Sequence, residues 1–98
     1  MIEDLINRHY EATKQRGLIT PKTKTSQFIS KMMEEDHEMF DEIIKNMWGE
    51  RNTEEVIQET IDSIMVRINY LKQKGVDMEL ALCRNVMKQE KRVKQLNE

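Results

Sequence analysis

Two short acidic clusters hold the side chains of this sequence best suited to chemistry. Glu34, Glu35 and Glu38 fall within five residues, and after twenty further residues come Glu59 and Asp62. On a helix that turns 100° per residue the first three point at about 0°, 100° and 40°, one arc to the side of an apolar stripe. Glu59 and Asp62 are spaced i, i+3, so their side chains are neighbours, with Glu55 one turn earlier on the same side. If the two segments form an antiparallel hairpin, residues equally far from the turn lie level and the two patches meet. Four carboxylates converging from two helices repel one another, and each resists ionisation unless a cation neutralises the group. Oxygen ligands favour Mg2+, or Mn2+, over Zn2+, and Mg2+ commonly completes its octahedron with waters and substrate phosphates. The chemistry that suits such a site is hydrolysis of a phosphate anhydride. The plainer alternative is that acidic residues on amphipathic helices are merely solvated; two clusters at matching levels on neighbouring helices weigh against it.

The elements that must position these residues are marked by the few helix breakers. Gly17 with Pro21, then Gly49, then Gly75 make three breaks and hence four helices in one domain over residues 1–98. The first is predicted from Ile2 to Arg16, with Ile2, Leu5, Ile6 and His9 on one face; His9 is read there as a packing residue. After the loop from Gly17 to Lys24, the second carries a long stripe of Phe28, Ile29, Met32, Met33, Met39, Phe40, Ile43, Ile44 and Met47. A turn at Trp48 to Arg51 follows, Trp48 being read as a plug for the core, and Asn52 with Glu55 is predicted to cap the third helix. That helix runs to Lys74 with Ile57, Ile61, Ile64, Ile68 and Leu71 as its stripe, and Gly75 ends it in the left-handed region. Asp77 is predicted to cap the fourth helix, which becomes basic through Lys88, Lys91, Arg92 and Lys94.

Composition limits what these helices can do alone. Of 98 residues 38% are hydrophobic and 5% aromatic, against 35% charged. A chain of this length buries only roughly 60 to 65% of its unfolded surface, so oligomerisation is the expectation. A net charge of -2 from 16 basic and 18 acidic residues offers no basic body for a nucleic-acid polymer. A single cysteine, Cys83, forms no intrachain disulfide and is read as a small buried hydrophobe. With no leader and no apolar run of about 18 residues, the chain is expected to be cytoplasmic and to make no membrane contact.

The string Glu34-Glu35-Asp36-His37-Glu38, followed after twenty residues by Glu59-Thr60-Ile61-Asp62, resembles the EExxE and ExxD signature of the MazG-like all-α nucleoside triphosphate pyrophosphohydrolases. Lys31, three before the glutamate pair, and Gly75-Val76-Asp77-Met78-Glu79 extend the likeness, which covers roughly residues 25 to 92. The resemblance implies an all-α, four-helix MazG-like bundle that works as a homodimer or a dimer-of-dimers tetramer. It implies Mg2+-dependent cleavage of an NTP or dNTP to the monophosphate and pyrophosphate, as in nucleotide-pool cleansing. Glu35, Glu38, Glu59 and Asp62 would be the metal ligands, Glu34 would support the site or position the attacking water, and Lys31, Lys88 and Arg92 would hold the phosphates. Where the family often reads Lys, Asn and Arg in its fourth helix, this chain has Asn85, Gln89 and Arg92. Asp36 stands where relatives tend to carry an aliphatic residue and is predicted to face a subunit interface or a partner.

Other readings share parts of this pattern. Phosphoribosyl-ATP pyrophosphohydrolases and the helical dUTPase and dCTPase groups carry the same acidic signature. Glu34 with His37 makes an ExxH pair of the type used in ferritin-like di-iron sites, though that leaves Glu59 and Asp62 without a role. Eight methionines would also suit a non-enzymatic helical interaction protein with an adaptable binding face.

Overall fold

A computed structural model describes residues 1–46 and 53–97. Among the described residues the chain is all-helical, with four helices and no strand: α1 (Ile2–Gln15), α2 (Thr25–Lys45), α3 (Glu54–Gln73) and α4 (Met78–Leu96). Among the described residues no helix is long and apolar enough to cross a membrane. The ends fall where the breakers put them. Gly17 and Gly75 adopt φ of 76° and 78°, the left-handed conformation that lets the chain turn away after α1 and α3. Asp77 caps α4 by accepting a hydrogen bond from the Leu80 amide at 3.1 Å. At the start of α2, Gln27 reaches back to accept from the Lys24 amide at 2.6 Å. The residue that caps α3 is Thr53, whose hydroxyl oxygen accepts from the Val56 amide at 3.2 Å. Met47, the Trp48 to Arg51 turn and the predicted Asn52 cap lie outside the described residues.

The α2–α3 hairpin is the body of the molecule. Phe28 and Tyr70 meet edge to face with ring centroids 5.3 Å apart, and the Ser63 hydroxyl donates to Asp36 at 2.6 Å. Both pairs join residues nearly equidistant in sequence from the turn, as an antiparallel hairpin requires. Asp36 is paired within the chain. Its second carboxylate oxygen accepts from the Arg67 guanidinium at 2.6 Å, and Arg67 also donates to the Ser63 carbonyl at 2.7 Å. The bonds from Arg67 and then Ser63 hold the Asp36 carboxyl below its ordinary range, and they fix the register of α2 on α3.

The rest of the chain is thinly packed. Among the described residues the buried apolar ones are Ile19, Phe28, Val56 and Val66, joined by the buried polar residues Glu35, Ser63 and Asn69. The predicted stripes do not all turn inward. On α2 the Phe28 edge meets α3, while Met33 (68% exposed), Phe40 and Ile44 form a second apolar face open to solvent. On α3 it is Val56, Ser63, Val66 and Asn69 that are buried, and the isoleucine row Ile57, Ile61 and Ile64 is exposed. α4 buries no residue, so Leu82, Val86 and Met87 lie bare, and Cys83 is exposed rather than buried. The physical reason is common to all three: periodicity identifies an apolar stripe, but the single chain has too few helices to cover each one. The radius of gyration, 16.3 Å, is that of an open arrangement; a compact chain of this length has about 13 Å.

Candidate metal centre

Halfway along the hairpin, one carboxylate oxygen from each of Glu35, Glu38 and Glu59 lies within 4.8 Å of the others. The two glutamates of α2 are one turn apart, and Glu59 comes level with them from α3. Glu35 is 8% exposed, Glu59 half-buried and Glu38 exposed, so the group has a closed floor and an open mouth. Glu35 Oε2 and Glu59 Oε2 are buried and, among the described residues, have no hydrogen-bond partner. A buried carboxylate oxygen without a donor costs free energy that a bound cation would recover. Repulsion is visible at the open side. The negative charge of Glu35 foremost, then loss of water and the charges of Glu59 and Glu34, push the Glu38 carboxyl above its ordinary range.

One cation already answers part of this charge. Lys31 Nζ lies 3.0 Å from Glu35 and 3.3 Å from Glu34, each pair within one turn of α2. The hydrogen bond to Glu35 holds the Lys31 ammonium above its ordinary range, against partial burial that acts in the opposite sense. The structure therefore places Lys31 on the carboxylates themselves, in an i, i+4 contact with Glu35. Glu34 is exposed, pairs with Lys31 and adds its charge to those acting on Glu38.

The remaining sequence candidates divide. Asp62 is exposed and stands outside the three-carboxylate group, but it shares with Glu35 and Lys31 the wall of a cleft of about 440 Å3 between α1, the α1–α2 loop, α2 and α3. Lys88 and Arg92 are on the exposed length of α4 and do not line that cleft. His37 is exposed and lies outside the acidic group, so the structure does not assemble the ExxH pair into this site. His9, read from the sequence as a packing residue, is exposed and lines the cleft with Thr13 and Asn69. Asn69 is the site residue that sequence reasoning missed; its only sequence signal is a polar side chain one turn beyond Val66 on the face that α3 turns inward.

An all-oxygen set with two orphaned buried oxygens fits a hard divalent ion. At neutral pH, Mg2+ at about a hundredfold above its dissociation constant would stabilise the fold by about 2.7 kcal/mol. Because Glu38 binds a proton more tightly in the folded chain than in the unfolded one, metal-free stability falls as pH rises from the ordinary carboxylate range through the raised Glu38 value. Thermal melting in EDTA across mildly acidic to neutral pH is expected to show that decline, and Glu38→Gln to flatten it. Added Mg2+ is expected to raise the neutral-pH melting temperature of the wild type only.

No family model, no curated protein and no solved structure matches the chain.

Proposed function

We propose that the chain is a Mg2+-dependent nucleoside triphosphate pyrophosphohydrolase of the MazG-like kind, cutting an NTP or dNTP to the monophosphate and pyrophosphate. The observation that carries this reading is the meeting of Glu35, Glu38 and Glu59 beside a cleft, with two buried carboxylate oxygens left without donors. In this reading those three residues, with Asp62 from the cleft wall, hold the ion. Bound there, Mg2+ supplies charge neutralisation for the phosphate oxygens and for the leaving pyrophosphate. The chain's own residues do the rest. Lys31 exchanges its contacts with Glu34 and Glu35 for the phosphates, a short swing of a flexible side chain. Glu34, released from Lys31, accepts the proton of the attacking water as its oxygen bonds to phosphorus and the bond to pyrophosphate breaks.

The same reading makes the active form a homodimer or a dimer-of-dimers tetramer. The exposed faces of Met33, Phe40 and Ile44 on α2, of Ile57, Ile61 and Ile64 on α3, and of Leu82 and Val86 on α4 support it, as does the open radius of gyration. The exposed methionines equally favour a helical interaction protein, which predicts a stable protein with no turnover.

Product analysis separates the two. Purified protein with Mg2+ and a panel of NTPs and dNTPs is expected to yield monophosphate and pyrophosphate. Diphosphate with orthophosphate would mean a different hydrolase, and no turnover of any nucleotide, phosphoribosyl-ATP included, would leave the interaction protein.

A further inference from the structure

The acidic group already holds a cation of the chain's own. Lys31 Nζ lies 3.0 Å from Glu35 Oε1 and 3.3 Å from Glu34 Oε1. Among the described residues no other basic side chain pairs with Glu34, Glu35, Glu38 or Glu59: Lys45 is taken by Asp41 and Glu42, and Arg67 by Asp36. The ammonium answers the group only in part. It makes no ion pair with Glu38 or Glu59, and Glu35 Oε2 and Glu59 Oε2 stay buried without a donor. One positive charge thus faces several carboxylates whose remaining oxygens suit a divalent ion.

The two partners of this pair differ in freedom. The Glu35 side chain is 10% exposed, whereas that of Lys31 is 46% exposed. Lys31 also lines both the cleft and a shallower hollow with Ser26, Ser30 and Glu34, so its flexible four-carbon stem has room to swing without moving α2. A divalent ion and this ammonium compete for Glu35. A double and a single positive charge a few ångströms apart repel by an amount worth on the order of tenfold in affinity, even in water. An anionic ligand changes the balance, because it offers the ammonium a second partner and leaves Glu35 to the metal. We propose that Lys31 is a placeholder cation: in the free chain it neutralises Glu35, and a phosphate anion draws it off, so that metal and anion bind cooperatively. The proposal rests on the metal and nucleotide reading above. Such coupling is reciprocal, since whatever factor the anion adds to metal affinity the metal adds to anion affinity. Free Mg2+ is then held weakly, and Mg2+ carried on a phosphate chain tightly.

The test titrates the whole chain by calorimetry with Mg2+ alone and with Mg2+ and inorganic pyrophosphate together, for the wild type, Lys31→Gln, Lys31→Arg and Lys45→Gln. Lys31→Gln is expected to bind Mg2+ alone about tenfold more tightly than the wild type, and the Mg2+–pyrophosphate complex about tenfold more weakly. Shifts of opposite sign in one variant are not the result of a damaged site, which loses both. Lys31→Arg keeps the charge and is expected to stay within about threefold of the wild type in both titrations. Lys45→Gln makes the same change of net charge about 20 Å further along α2, and is expected to move either affinity by less than about twofold. Mg2+ binding by Lys31→Gln no tighter than by the wild type, or a pyrophosphate complex held no more weakly, would overturn the placeholder while leaving the metal site standing. The expected shifts with no turnover of any nucleotide would keep the placeholder and remove the hydrolase. No binding of Mg2+, alone or with pyrophosphate, by the wild type or by Lys31→Gln would remove the metal reading and the placeholder with it.

Discussion

Replacing Glu35 with Gln is expected to lower Mg2+-dependent pyrophosphate release on the order of 10²- to 10³-fold while leaving the helical fold in place. The size follows from what is lost. A divalent ion contributes several kcal/mol of transition-state charge stabilisation, and each 1.36 kcal/mol is a factor of about ten in rate. Glu35 is the best buried of the three clustered carboxylates, and its Oε2 is one of the two oxygens lacking a donor. A glutamine there keeps the volume but presents a neutral ligand. It also removes the charge that does most to raise the Glu38 carboxyl, so Glu38 is expected to titrate closer to its ordinary range. Steady-state rates with saturating Mg2+, circular dichroism and a carboxyl titration by NMR check the three parts together. An inactive variant that had also lost its helices would speak for a structural role instead.

The largest stability effect is expected from Phe28→Ala, at about 3 to 5 kcal/mol, as for other large-to-small changes at buried phenylalanines. Phe28 is one of only four buried apolar residues described, and it joins α2 to Tyr70 of α3 in the edge-to-face pair. Small domains are stable by about 5 to 15 kcal/mol, so this one change removes a large share of the total. Denaturant unfolding is expected to show the midpoint falling steeply with an unchanged slope. Met33→Ala, by contrast, is expected to leave monomer stability almost unchanged, since Met33 is open to solvent.

Some parts of this architecture are legible in the sequence because their causes are local. Gly17 and Gly75 take positive φ because a helix end needs it, and Asp77 caps because its carboxylate reaches an amide three residues on. The meeting of Glu35 and Glu38 with Glu59 follows from helix spacing and one hairpin. What fails to show is whatever depends on which face of a helix meets which neighbour. Ser63 and Asn69 read as polar positions, yet the isoleucines of α3 are the exposed ones, because α3 packs on α2 and α1 through its mixed face. Asp36 reads as an intruder on an apolar arc; its partner Arg67 lies 31 residues away, and no periodicity links the two. Asp62 shares the i, i+3 spacing of a ligand pair with Glu59, but the structure sets it on the cleft wall, apart from the three-carboxylate group. Lys31 reads from resemblance as a phosphate ligand, and its 3.0 Å contact with Glu35 is a finding of the structure.

We propose that the carboxylates of the α2–α3 hairpin hold Mg2+ for cleavage of a nucleoside triphosphate. It is tested most directly by following pyrophosphate release from nucleotide panels with Mg2+ and with EDTA, for the wild type and for Glu59→Gln. Release by the wild type with Mg2+, none in EDTA, and loss in the folded variant are expected. Release that persists in EDTA, or that Glu59→Gln leaves unchanged, would contradict it.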